Sequence, residues 1–388
     1  MIATLMLVLA VAAGDAETLR KIAAVDGADL PKMKALSAEL ADPILRADVE
    51  KLLPEWGAAA QRHVRDGALL AEVRRLGGKA ALEVQAPVWL RSAAGDESLE
   101  SFARITELEL NERTDGHKEP TSKALSDRVT DDWLARIADQ TGLRRLELSG
   151  TAVTSAGLVH LKNLVNLEVL NVCLTAIDDR GFEHLAGLTA MKRLVICSSK
   201  ITGTGFAHLQ GLTQLESVNL HSSPASDAGL AEIGKRTSLR RLEIVHTKVT
   251  DAGLAHLAGL VNLRQLHVHG PETTAAALPF LSKLQELYQL DVYDKAASNE
   301  TLEQIGKLPR LRLLMLSTGI FNDEGVKHLA GLAALEELTL DSDKVTDASV
   351  DTLGTLKSLR KLRLSRAKIS AAGRERLRTL LPSAEILP

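Results

Sequence analysis

The stretch LRRLEIVHTKVTDAGLAHLAGLVN, residues 239–262, decides the fold. In Leu242-Glu243-Ile244 apolar and polar side chains alternate, the pattern of a short strand with one buried face. Six residues further on, Thr250 is a helix N-cap former. Its oxygen can accept from the open amides of a first helical turn, worth about 1 kcal/mol. Leu254, Leu257 and Leu260 then recur at the three-residue spacing of one helical face. Strand and helix share one core.

The same unit returns every 24 residues. Its first leucine stands at Leu143 and recurs at Leu167, Met191, Leu215, Leu239, Leu263, Leu287, Leu311, Leu335 and Leu359, without insertion or deletion. Ten repeats cover 143–382, a fixed register that sets the whole architecture. Position 12 is Thr154, Asp178, Thr202, Ser226, Thr250, Thr274, Ser298, Asn322, Thr346 and Ser370, all N-cap formers. Composition agrees: 69 of 388 residues are leucine and only 3% are aromatic. The net charge of -3 gives no global positive field for nucleic acid, and two cysteines exclude a disulfide-dense scaffold or a four-thiolate zinc module.

Units such as Val249-Thr250-Asp251-Ala252-Gly253-Leu254-Ala255-His256-Leu257 resemble leucine-rich repeats, in particular the 24-residue type common in exported bacterial proteins. The resemblance implies an α/β solenoid with a curved parallel sheet inside and short helices outside, used mostly for protein recognition. Position 9, which in the family often holds a polar side chain bonded to the loop backbone, is Thr151, Thr175, Ser199, Ser223 and Thr247, then Pro271, Lys295, Gly319, Asp343 and Ala367. An internal hydroxyl ladder should therefore stop near residue 250. Position 11 also degrades, to Ala225, Thr273 and Ala297, so repeats between about 215 and 300 should be the less regular ones.

The flanks are organised differently. Met1 to Ala13 is an apolar run too short for a bilayer span, and with Val11 and Ala13 it fits a signal-peptide core. Residues 1–16 are read as a leader, which makes the protein exported, with no stable membrane insertion after cleavage. Residues 17–100 form a mainly helical N-terminal cap region: helices at 17–25, 31–40, 43–53 and 56–76, broken at Gly27, Pro43 and Pro54, then a strand at 79–84 and a second at Pro87 to Leu90. A separate small helical interaction domain is the alternative. Residues 101–142 read as an irregular first repeat, its strand Ile105 to Leu110 separated from its helix half, Val129 to Leu134, by an inserted loop at 111–124. Residues 383–388 close the stack, with Ala384-Glu385-Ile386 as a final strand.

Chemistry is sparse. His160, His184, His208, His256 and His328 all occupy position 18 on the outer helix and belong to the repeat frame. His221, His246, His267 and His269 fall instead on or beside exposed strand positions and should cluster on the concave face. Position 7 runs Ser149, Cys173, Cys197, His221, Val245, His269, Tyr293. With strands about 4.8 Å apart, three readings stand for Cys173 and Cys197: neutral surface side chains, a disulfide, or a metal or redox site with His221, aided by Asp291 or His269. No nucleophile motif stands out, and Gly203-Thr204-Gly205 lacks the remainder of a nucleotide loop, so neither an enzyme nor a cofactor is expected.

Positions 2, 3, 5 and 7 carry eleven basic and eight acidic residues, too interleaved for a phosphate track. The expectation is a recognition scaffold binding a protein or peptide through Asn219, His221, Arg241, His246, His267, His269, Asp291 and Tyr293, with Tyr293 as anchor. A structural envelope or oligomer component is the alternative.

Overall fold

The computed structural model describes residues 13–25, 29–110 and 128–388. The leader core and the inserted loop 111–124 lie outside the described residues. The chain divides into two compact units, Met1–Asn111 with Asp139–Glu147, and Glu112–Ala138 with Leu148–Pro388.

The first unit contains α1 (Ala13–Ala23), α2 (Leu30–Ser37), α3 (Pro43–Arg75), β1 (Lys79–Val84), α4 (Val88–Ala94), β2 (Ala103–Glu109) and β3 (Arg145–Glu147). Leu19, Ile22, Met33, Leu45, Val49, Trp56, Leu90 and Leu99 form its core. β1 runs antiparallel to β2, which pairs in parallel with β3. Three expectations are corrected here. α1 begins at Ala13 rather than Glu17, since the buried Asp15 carboxylate accepts from the amides of Ala41 (2.7 Å) and Asp42 (3.3 Å) and ties the helix start to the α2–α3 turn. Pro54 does not break the chain, because α3 continues through it. A mid-helix proline costs about 3 kcal/mol, which burial of Leu53 and Trp56 beside it, at roughly 1.5–3 kcal/mol for a large side chain, can offset. Pro87 starts a helix rather than a strand: its carbonyl accepts from the amides of Leu90 and Arg91, both at 3.0 Å, and Leu90 is buried.

The second unit is a leucine-rich repeat solenoid. Its strands are β4 (Val169–Asn171), β5 (Arg193–Val195), β6 (Ser217–Asn219), β7 (Arg241–Ile244), β8 (Gln265–Val268), β9 (Gln289–Tyr293), β10 (Leu313–Ser317), β11 (Glu337–Asp341), β12 (Lys361–Ser365) and β13 (Glu385–Leu387). They pair in parallel and in sequence order, paired residues standing 24 positions apart, as in Leu194 with Val218 and Leu242 with Leu266. Positions 4 and 6, from Leu170 and Val172 to Leu290 and Val292, are buried to 1% exposure or less, which leaves positions 3, 5 and 7 on the outer face of the sheet. The short helices, many of them 3-10, fill the other side. Nine of the ten expected N-caps directly precede their helix and accept an amide of its first turn, and Thr202 accepts the Thr204 amide only at 3.5 Å. At Thr202 the start moves to Gly203, which takes the left-handed φ of 91° that glycine permits. Of the repeats expected to be less regular, only that from Leu263 is broken, its helix split into Ala275–Ala277 and Pro279–Lys283, whereas those from Leu215 and Leu239 keep uninterrupted capped helical segments.

The hydroxyl ladder stops where the sequence places its end, and strand length follows it. Thr175, Ser199 and Ser223 donate to the carbonyls of Val172, Ile196 and Leu220 at 2.6, 2.7 and 2.6 Å. Those are the position 6 carbonyls. β4, β5 and β6 accordingly end at position 5, and the position 7 amides of Cys173 and His221 turn to the side-chain oxygens of Asn171 (3.0 Å) and Asn219 (2.8 Å). At Thr247 the bond to Ile244 lengthens to 3.5 Å, and the same carbonyl receives the His269 amide at 3.2 Å. Beyond it, β9 to β12 run through position 7. Among the described residues, no helix is long and apolar enough to cross a membrane.

Candidate partner-binding face

The expected residues come together on β6 to β9, and their contacts form three rows. At position 3, Arg241 donates to Gln265 Oε1 at 3.2 Å, and Gln265 donates to Gln289 Oε1 at 2.7 Å. At position 5, Asn219 donates to Glu243 Oε2 at 2.7 Å, and Arg241 Nε donates to Glu243 Oε1 at 2.7 Å. In the same row, His267 Nδ1 meets Asp291 Oδ2 at 2.6 Å, with side-chain exposures of 14% and 10%. The His267 Nε2 atom is buried without a hydrogen-bond partner.

The third row is aromatic. The rings of His221, His246, His269 and Tyr293 follow one another at centroid separations of 5.3, 4.5 and 5.5 Å, each edge toward face. That geometry suits the ring quadrupoles. His246 stands at position 8, and it reaches the row because its backbone is left-handed (φ 55°), whereas Val245 at position 7 is buried. His269 Nδ1 accepts from the His246 amide at 3.3 Å, so its Nε2 carries the proton and donates to Asp294 Oδ2 at 2.6 Å. Asp294 also accepts from the Thr318 hydroxyl, and this bond, with that from His269, holds its carboxyl below the usual range despite partial burial. Partial desolvation among the rings, with His269 and His221 beside it, lowers the His246 pKa. Burial and the charges of Asp291 and Glu243 raise that of Tyr293, whose hydroxyl has only a 3.7 Å contact to Met315 Sδ.

Upstream of the row, Cys173 and Cys197 form a disulfide across β4 and β5, their Cα atoms 4.6 Å apart. Of the three readings this is the one the structure adopts, and it removes both thiolates from a site with His221. Among the described residues, no group of three or more His, Cys, Asp or Glu side chains converges on a metal position.

Sequence reasoning missed Glu243, Gln265, Gln289, Asp294 and Thr318 as members of the network. Glu243 and the two glutamines were signalled by their places in the position 5 and 3 rows beside Arg241 and His267. Asp294 and Thr318 sit at position 8, whose left-handed backbone carries no side-chain signature except Gly150 at φ 74°.

No family model matches the chain, and none of the curated proteins matches it. Among solved structures it is similar to an internalin (InlF) of Listeria monocytogenes, at 19% identity over 75% of this chain and 88% of that one, with a TM-score of 0.46. Internalin C2 of the same organism is 23% identical over 61% of this chain and 92% of its own, with a TM-score of 0.44. A leucine-rich repeat protein of Leptospira interrogans is 19% identical over 65% of this chain and 56% of its own, with a TM-score of 0.45. The repeat assignment itself rests on the chain's 24-residue register.

Proposed function

We propose that the chain is a non-enzymatic recognition scaffold that holds a protein or peptide against the outer face of β6 to β9. The observation that carries this reading is the row of four edge-to-face rings, His221, His246, His269 and Tyr293, with His269 fixed by Asp294 and the neighbouring His267 fixed by Asp291. A surface whose side chains are already ordered loses little rotamer entropy on binding, which is what a docking face needs. Its flat aromatic groups offer contact area, and Tyr293 is the residue type that anchors interfaces. The local balance, three guanidiniums (Arg240, Arg241, Arg264) against four carboxylates (Glu216, Glu243, Asp291, Asp294), disfavours a nucleic-acid ligand.

Export is part of the same proposal. A disulfide between adjacent strands persists in an oxidising compartment. The Asp15 carboxylate, bonded to the Ala41 and Asp42 amides, favours a leader that ends before it.

The test is affinity capture from the native host with three forms of the intact protein: the natural one, Tyr293→Ala, and the outer-helix variant His256→Ala. Loss of the captured partner with Tyr293→Ala alone supports the reading. Retention by Tyr293→Ala, or loss with His256→Ala, would sink it.

A further inference from the structure

Along the rim where the strands begin, position 2 alternates in sign: Arg144, Glu168, Lys192, Glu216, Arg240. The alternation makes ion pairs from strand to strand, Lys192 with Glu168 at 2.7 Å and Arg240 with Glu216 at 3.3 Å. Further along, Arg312 pairs with Glu336 on the following strand. Between these stretches the pattern fails. Arg264 follows Arg240, and the place of the next glutamate is taken by Tyr288. Arg240 is committed to Glu216, so Arg264 has no carboxylate mate among the described residues.

At this gap lies an open cleft of about 480 Å³, lined by Arg264, Tyr288, Arg310, Arg312 and Glu286 among others. Arg310 is paired there with Glu286 and Arg312 with Glu336, which leaves the Arg264 guanidinium as the one uncompensated charge. The cleft therefore combines an unbalanced positive charge with an aromatic wall.

We propose that this cleft takes the carboxylate of an aspartate or glutamate on an acidic segment of a protein partner, the incoming group filling the position at which the frame elsewhere supplies its own glutamate. A carboxylate is favoured over other anions because the repeat already seats one beside its position 2 cation at 168, 216 and 336. Arginine receives it with two parallel N–H donors, a geometry lysine lacks. The Tyr288 ring packs beside the segment's chain. That the occupant is a protein segment rests on the docking reading above, but the test below does not.

The intact protein is titrated at low salt with a fluorescently labelled, end-capped tetraglutamate peptide, and anisotropy is read. Saturable binding is expected, weakened about tenfold in Arg264→Ala and partly kept in Arg264→Lys. Tyr288→Glu should abolish it, since this change restores the internal ion pair. Arg360→Ala, at position 2 outside the cleft, should bind normally. Equal binding by Tyr288→Glu, an equal loss in Arg360→Ala, or tighter competition by inorganic phosphate than by unlabelled peptide would overturn the assignment. Tyr293→Ala should leave this titration unchanged, so failure here is separable from failure of the ring-row surface.

Discussion

The repeats from 167 to 238 and those from 287 to 382 share one 24-residue frame, yet their strands end two residues apart. In the first group a hydroxyl at position 9 takes the position 6 carbonyl, and pairing stops at position 5. In the second that hydroxyl is replaced by Lys295, Gly319, Asp343 and Ala367, and pairing runs through position 7. One buried acceptor, claimed locally or left to the neighbouring strand, sets the length of each strand. The edge-to-face rings lie across the changeover, where the Ile244 carbonyl is shared between Thr247 and the His269 amide.

The sharpest way to break this comparison is to remove a hydroxyl on one side. Thr175→Val keeps the shape but strands the Val172 carbonyl, and should cost about 1–3 kcal/mol in urea unfolding. Lys295→Ala, at the same position in the other group, should stay within about 0.5 kcal/mol. Equal costs would refute the interception account. A second contrast lies at position 22, where the frame places Leu212 and Leu260 but the intervening repeat has Arg236, 8% exposed, with Nε unpartnered. Its guanidinium donates to the Leu209 carbonyl at 3.2 Å, and burial lowers its pKa. Neighbouring repeats manage with leucine, so Arg236→Leu should raise stability by about 1 kcal/mol or more, read from the same unfolding curves. A fall would show that the arginine is a needed cap.

The pH dependence sharpens the changeover itself. His246 has a folded pKa below its unfolded value, so as pH falls through about 6.5 the unfolded chain binds the proton first and stability drops into acid. In His246→Gln the decrease in melting temperature between pH 7.5 and 5.0 should be smaller than in the natural protein. An unchanged or larger decrease would contradict this sign. The smallest effect concerns Leu174, 57% exposed at a left-handed φ of 56° where the first repeat has Gly150. Leu174→Gly relieves roughly 1 kcal/mol of strain but frees the unfolded chain, for a net gain of about 0.5 kcal/mol in thermal unfolding.

The frame was fully legible in the sequence, because Leu143 to Leu359 hold one register and the position 12 residues name each helix start. The exception at Gly203 was not, since position 12 there is still a threonine. Pro54 misled because a local cost is visible in sequence, whereas the burial of Leu53 and Trp56 that outweighs it is tertiary. That the eight expected residues would lie near one another on β6 to β9 followed from strand arithmetic. What that arithmetic lacked was direction: adjacency of Cys173 and Cys197 was plain, but bonding depends on how their side chains turn. Membership of His246 and Asp294 in the ring row likewise depends on a left-handed backbone at position 8, to which most residue types give no clue.

The central claim is that the outer face of β6 to β9 is where a partner sits. Hydrogen–deuterium exchange of the intact protein, with and without the captured partner, tests it most directly. Protection should appear in peptides covering 217–221, 241–246, 265–269 and 289–294, with the outer helices unchanged. Protection confined to the helices, such as 227–233 and 251–259, would contradict the account.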